Sequence, residues 1–122
     1  MYCDRIKKKL INPRPKIKQK NISQSVTHIN ADDSIGFVAA DTAIKKAIKN
    51  AKKTGIGLVA VKNSGHYGMS GYYAEQAVKK NMIALVFTNA PPAIAPHGAV
   101  KSLLKNDLIS LTNKSGSSRA AK

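Results

Sequence analysis

The sequence predicts an α/β fold. Two apolar, Val-bearing runs of strand length occupy residues 56–62 and 82–88, a β-branched alternating stretch occupies 25–30, and two segments of helical periodicity lie between them. Together they read β-α-β-α-β, and strands alternating with amphipathic helices are the pattern of a layered α/β structure.

The elements follow in order. Residues 1–22 read as a basic, mostly extended lead-in, because Pro13 and Pro15 bar a helix through residues 11–16 and bias their predecessors toward extended backbone. Ser25-Val26-Thr27-His28-Ile29-Asn30 alternates and predicts a short strand, with His28 on its surface. Asp32-Asp33-Ser34 then offers N-cap chemistry for a helix over about 37–53. Within that helix Ala40, Ile44, Ala47, Ile48 and Ala51 fall on one face, and Lys45, Lys46, Lys49, Lys52 and Lys53 fall elsewhere. Gly55 ends it as a C-terminal cap.

The run 56–62 predicts a buried strand, and 63–68 a polar, glycine-rich turn. Residues 70–80 predict a second helix with Tyr73, Ala74, Ala77 and Val78 facing inward, closed by a left-handed Asn81. Residues 82–88 predict another buried strand, and 89–99 a proline-rich loop. After 105 the pattern decays: Leu108–Thr112 fits a strand, and Asn113–Lys122 reads as disordered. The organisation is therefore a lead-in (1–22), an α/β region (23–104) and a divergent tail (105–122).

Charge sets the next constraint. Lys and Arg number 21 against 6 Asp and Glu, a net charge of +15. Such a balance attracts polyanions, and the basic lead-in predicts weak, salt-sensitive, sequence-independent association with nucleic acid. A dedicated nucleic-acid module needs aromatics interleaved with its basic residues, whereas Tyr67, Tyr72 and Tyr73 sit among few charges. Cys3 is the single cysteine, which rules out an internal disulfide and favours a reducing, cytoplasmic compartment. No apolar run approaches the roughly 20 residues that cross a bilayer, so no membrane association is expected. His28 and His97 are too isolated to suggest a metal site.

The segment richest in chemistry is strand 56–62, turn 63–68 and helix 70–80. It sets His66 between Gly65 and Gly68 at the C-terminal end of a strand, where open α/β sheets bind ligands. An imidazole there exchanges protons near neutral pH. Residue types alone also allow His66 simply to fill the turn. Gly65, Gly68 and Gly71 are not spaced as a dinucleotide fingerprint, and no G-x-x-x-x-G-K-[ST] loop is present. The rigid loop beginning Thr88-Asn89-Ala90-Pro91-Pro92 is the second candidate, as a ligand-positioning loop or a structural crossover.

These motifs, taken in order, resemble the malate/L-lactate dehydrogenase family: Val61-Lys62-Asn63-Ser64-Gly65-His66-Tyr67-Gly68, Gly71-Tyr72-Tyr73-Ala74-Glu75, Met82-Ile83, Thr88-Asn89-Ala90-Pro91-Pro92 and Ala95-Pro96-His97-Gly98. The resemblance runs from about residue 5 to 104. It implies a non-Rossmann α/β fold and a dimeric oxidoreductase that moves a hydride between NAD or NADP and a 2-hydroxy or 2-keto acid. It further implies His66 as proton acceptor, Asn63, Tyr67 and Gly68 beside the substrate, and Thr88, Asn89 and Ala90 beside the cofactor. Ala90 stands where the family usually has Ser, His97-Gly98-Ala99 where it has Trp-Gly-Gly, and Lys105-Asn106-Asp107-Leu108 where it has Gly-Thr-Asn-Pro. Members are much longer, so the resemblance reads this chain as a fragment that is inactive alone. The alternatives are a small basic nucleic-acid-binding module, or a non-catalytic remnant that associates with a full-length relative.

Overall fold

Alternation along residues 26–31 produces the burial that it implies. Thr27, Ile29 and Ala31 are fully buried, and His28 between them is exposed. This strand anchors the first of two units, Met1–Gly68 and Met69–Lys122. The structure, a computed structural model, describes residues 2–89, 92–94, 104–105, 108–112 and 119–121.

The first unit comprises α1 (Tyr2–Lys7), β1 (Lys18–Asn21), β2 (Val26–Ser34), α2 (Gly36–Thr54) and β3 (Leu58–Ser64). Its sheet has the order β1-β2-β3; β1 runs antiparallel to β2, and β2 runs parallel to β3 with Ile29 opposite Val61. The helix α2 is therefore the crossover of a βαβ unit. Its half-buried residues include the expected face at Ala40, Ile44, Ala47, Ile48 and Ala51, but the fully buried positions are Gly36, Ala39 and Asn50. Gly55 closes the helix in the left-handed conformation, and its N–H donates to the Ala51 carbonyl at 2.8 Å.

Three expectations are corrected in this unit. Tyr2–Lys7 is helical rather than extended, and the lead-in is stitched to β2: Asn12 N donates to the Asp33 carbonyl, while Asn12 Nδ2 and Lys16 N both donate to Asp32 Oδ2, each at 2.9 Å. Asp32, Asp33 and Ser34 do not cap α2. They extend β2 across an irregularity in which Asp32 and Asp33 both have positive φ, and the N-cap position is Ile35, without a side-chain cap. The Asp32 carboxylate is already engaged by the lead-in, and Ser34 stands one residue short of the N-cap position that Ile35 takes. Finally, 58–64 is a strand but not a buried one: six of its seven residues are exposed, including Leu58 at 54% and Val61 at 38%. Among the described residues only β2 pairs with it, which makes it an edge strand of this sheet.

The second unit contains α3 (Ser70–Val78), β4 (Ala84–Thr88), β5 (Pro92–Ile94), β6 (Leu104–Lys105), β7 (Leu108–Thr112) and β8 (Arg119–Ala121). β4, β7 and β8 form an antiparallel sheet, and β5 pairs with β6. Ser70, Tyr73, Ala74 and Ala77 bury one face of α3, matching the inward face expected of it, and Asn81 takes the left-handed conformation (φ 59°) just beyond. The run 82–88 is again a strand that is not buried on both faces, since Ile83, Leu85 and Phe87 are exposed. The strand expected at Leu108–Thr112 is present, whereas Arg119–Ala121, expected to be disordered, pairs with β7. The remainder of the proline-rich loop and of the tail lies outside the described residues.

Candidate active site

Because β2 and β3 are parallel, their C-terminal ends lie side by side, and the N-terminus of α2 follows directly from β2. Near the end of β3, Asn63 has a positive φ of 54°, which suits an Asn, and the chain leaves the strand at Gly65. Asn63 Nδ2 donates to Asn30 Oδ1 at 3.1 Å, which ties the two strand ends together, and Asn30 Oδ1 also accepts from Asp32 N. Gly65 N donates to the Ser34 carbonyl at 3.1 Å.

Two glycines make this turn possible. Gly36 opens α2 against the backbone of the turn: a Cβ there would stand 2.2 Å from the Gly65 carbonyl oxygen and 2.4 Å from that of His66. Only hydrogen fits such an approach. Gly68 has φ +82°, and a Cβ on it would meet the Phe37 ring at 2.8 Å.

His66 is carried on this turn and is exposed. Its Nδ1 lies 3.4 Å from the Tyr2 hydroxyl, and its ring stands edge-on to Phe37 with centroids 6.4 Å apart. Phe37 in turn stands edge-on to Tyr2 at 6.0 Å. The imidazole therefore has one nitrogen facing a phenol and one flank against aromatic rings. The residue types of Tyr2 and Phe37 offer no sequence signal for this role, because only the fold sets α1 and the start of α2 around the turn.

The first unit thus brings together Asn63, His66, Tyr67 and Gly68, with Tyr67 half-buried. Thr88 and Asn89 belong to the second unit, at the C-terminal end of β4. Thr88 is half-buried and its Oγ1 donates to the Asn89 carbonyl at 3.4 Å, while Asn89 is exposed. Ala90 and His97 lie outside the described residues. Among the described residues no cluster of His, Cys, Asp or Glu could hold a metal ion, and no helix is long and apolar enough to cross a membrane.

The chain matches the malate/L-lactate dehydrogenase family over residues 1–113. It is 43% identical over 110 residues to a malate dehydrogenase of Pyrococcus abyssi, an alignment covering 90% of this chain and 30% of that protein. It is 38% identical over 113 residues to the L-sulfolactate dehydrogenase of Methanocaldococcus jannaschii, covering 93% and 33%. The solved structure of the sulfolactate dehydrogenase from that organism superimposes with a TM-score of 0.84 at 36% identity, over 98% of this chain and 35% of the other. The chain therefore spans about a third of the length of the relatives it matches. Agreement in both sequence and fold across nearly all of its residues shows that the chain belongs to the malate/L-lactate dehydrogenase family.

Proposed function

We propose that this chain carries the proton-transfer segment of an NAD(P)-dependent 2-hydroxyacid dehydrogenase, with His66 as the general base. The observation that carries this reading is the His66 turn itself: a solvent-accessible imidazole at the C-terminal ends of two parallel strands, its Nδ1 turned to Tyr2. When Nδ1–H donates to the phenol oxygen, Nε2 is left as the bare nitrogen that takes a hydroxyl proton from substrate. Asn63, Tyr67 and Gly68 line the approach.

NAD or NADP, when bound, would supply the acceptor for the hydride that leaves the carbinol carbon as His66 takes the proton from its hydroxyl. Thr88 and Asn89 offer a hydroxyl and an amide at a strand end, a donor set that fits a polar edge of such a cofactor, with Ala90 beyond them. The names malate and sulfolactate dehydrogenase among its relatives support a 2-hydroxy acid with a second anionic group, or the matching 2-keto acid, as substrate. A net charge of +15 favours the approach of such dianions.

Proton transfer is efficient only when base, substrate and hydride acceptor share one geometry. His66 stands open to water here, so the chain alone is expected to give no measurable turnover. The test is a chimera in which residues 1–113 replace the matching segment of the Pyrococcus abyssi enzyme. Malate oxidation by the chimera should fall about 10²–10⁴-fold in kcat on His66→Ala, the usual size of general acid–base catalysis. A loss under about tenfold would remove His66 from the role.

A further inference from the structure

At the end of α2 remote from His66, a depression of about 490 Å3 is lined by Asn21, Ser23, Lys46, Lys49, Asn50 and Lys53, among others. Lys49 lies 13 residues beyond Gly36 (49 − 36), which places it roughly 20 Å along the helix axis from the turn that carries His66. Lys46, Lys49 and Lys53 are spaced three and four residues apart and so share one face of α2.

Two features set this depression apart from an ordinary solvated helix face. The first is uncompensated charge. The ion pairs found among the described residues, Lys45–Asp41 and Lys79–Glu75, leave these three lysines without a carboxylate partner, and the lining contains no acidic residue. Lysines near a helix C-terminus also answer the macrodipole, but that dipole amounts to about half a negative charge against three positive ones. The second is a preorganised floor. Asn50, 6% exposed, donates from Nδ2 to Thr27 Oγ1 at 3.1 Å, and Thr27 Oγ1 donates to Asn21 Oδ1 at 3.1 Å. The rim is ordered as well, because Ser23 Oγ accepts from Ser25 N and Val26 N.

From this geometry we propose that the depression is a binding site for a small anion bearing linked phosphates, held by Lys46, Lys49 and Lys53 over the Asn21–Thr27–Asn50 chain. Three unpaired ammonium groups on one face match several phosphate oxygens at once, and the internally bonded Asn21–Thr27–Asn50 chain fixes the strand and helix beneath them. The site is large enough for a ligand of nucleotide size. It stands independently of the role proposed for His66.

The test titrates the full chain with inorganic tripolyphosphate, ADP and a short single-stranded DNA in about 150 mM salt, read by amide chemical shifts and calorimetry. Tripolyphosphate should shift amides of residues 21–24 and 46–53 and leave 65–68 unmoved. Lys46→Gln/Lys49→Gln/Lys53→Gln should weaken it at least tenfold. The equally discharged Lys7→Gln/Lys8→Gln/Lys9→Gln should weaken it less than twofold. Tighter binding of ADP at the same amides would identify a nucleotide as the source of the phosphates and would support the site. Equal weakening by the two triple variants, or binding of DNA alone, would overturn it. Should the first triple variant fail to fold, Lys49→Glu alone must still weaken binding at least threefold, or the proposal fails.

Discussion

Strand β4 carries four apolar residues among five and β2 only three among nine, yet β2 is the strand that the molecule buries. β2 lies between two other strands with α2 against it, and Thr27, Ile29 and Ala31 are wholly buried. β4 buries Ala84 alone, while Leu85 and Phe87 stay 57% and 65% exposed. Edge position gives β3 the same character as β4. An apolar run thus records that a strand can be covered, and the elements around it decide whether it is. Exposed apolar side chains in a row mark surfaces suited to association.

The sharpest way to break this contrast is at the centre of β2. Ile29→Ala should cost about 2–5 kcal/mol, because a fully buried side chain leaves a cavity. Urea unfolding should show a lost or greatly lowered transition midpoint, and an unchanged midpoint would mean that β2 does not hold the first unit together. Gly36→Ala comes next, at about 1–3 kcal/mol, since the added methyl overlaps backbone oxygens that have no rotamer to escape into. The amide signals of 65–68 should move with it, and a silent spectrum would contradict the close approach.

Two smaller effects sharpen the comparison. Ser34 Oγ is buried without a hydrogen bond to a described residue. Ser34→Ala should therefore be neutral or stabilise by up to about 1 kcal/mol, because an unsatisfied hydroxyl carries a desolvation penalty; a clear loss of stability would reveal a partner for that oxygen. On β4, Leu85→Lys should change stability by less than about 0.5 kcal/mol, as surface substitutions do. It should lower self-association in sedimentation. Destabilisation comparable to that of Ile29→Ala would place Leu85 in a core after all.

Several features were legible in the residues themselves. The period of the α2 segment and the left-handed needs of Gly55 and Asn81 are local properties, and they appear where the sequence places them. So does the glycine-flanked turn at His66, which follows from backbone geometry that only a few residue types tolerate. The ordered motifs from Val61 to Gly98 likewise carried the family.

What the sequence left open were properties that depend on distant partners. Asp32 looked like a cap until Asn12 and Lys16 claimed its carboxylate from 20 and 16 residues away. Asn50 is a polar residue of α2 that is buried because Thr27 on β2 supplies its acceptor. Tyr2 and Phe37 became neighbours of His66 only when α1 and α2 were set against the turn. Sequence by itself determined β2, α2, β3, α3, β4 and β7, because backbone preference and side-chain type act over a few residues. Tertiary structure alone decided burial, edge position and the groups that face each polar atom, because these depend on which distant segments come to lie beside it.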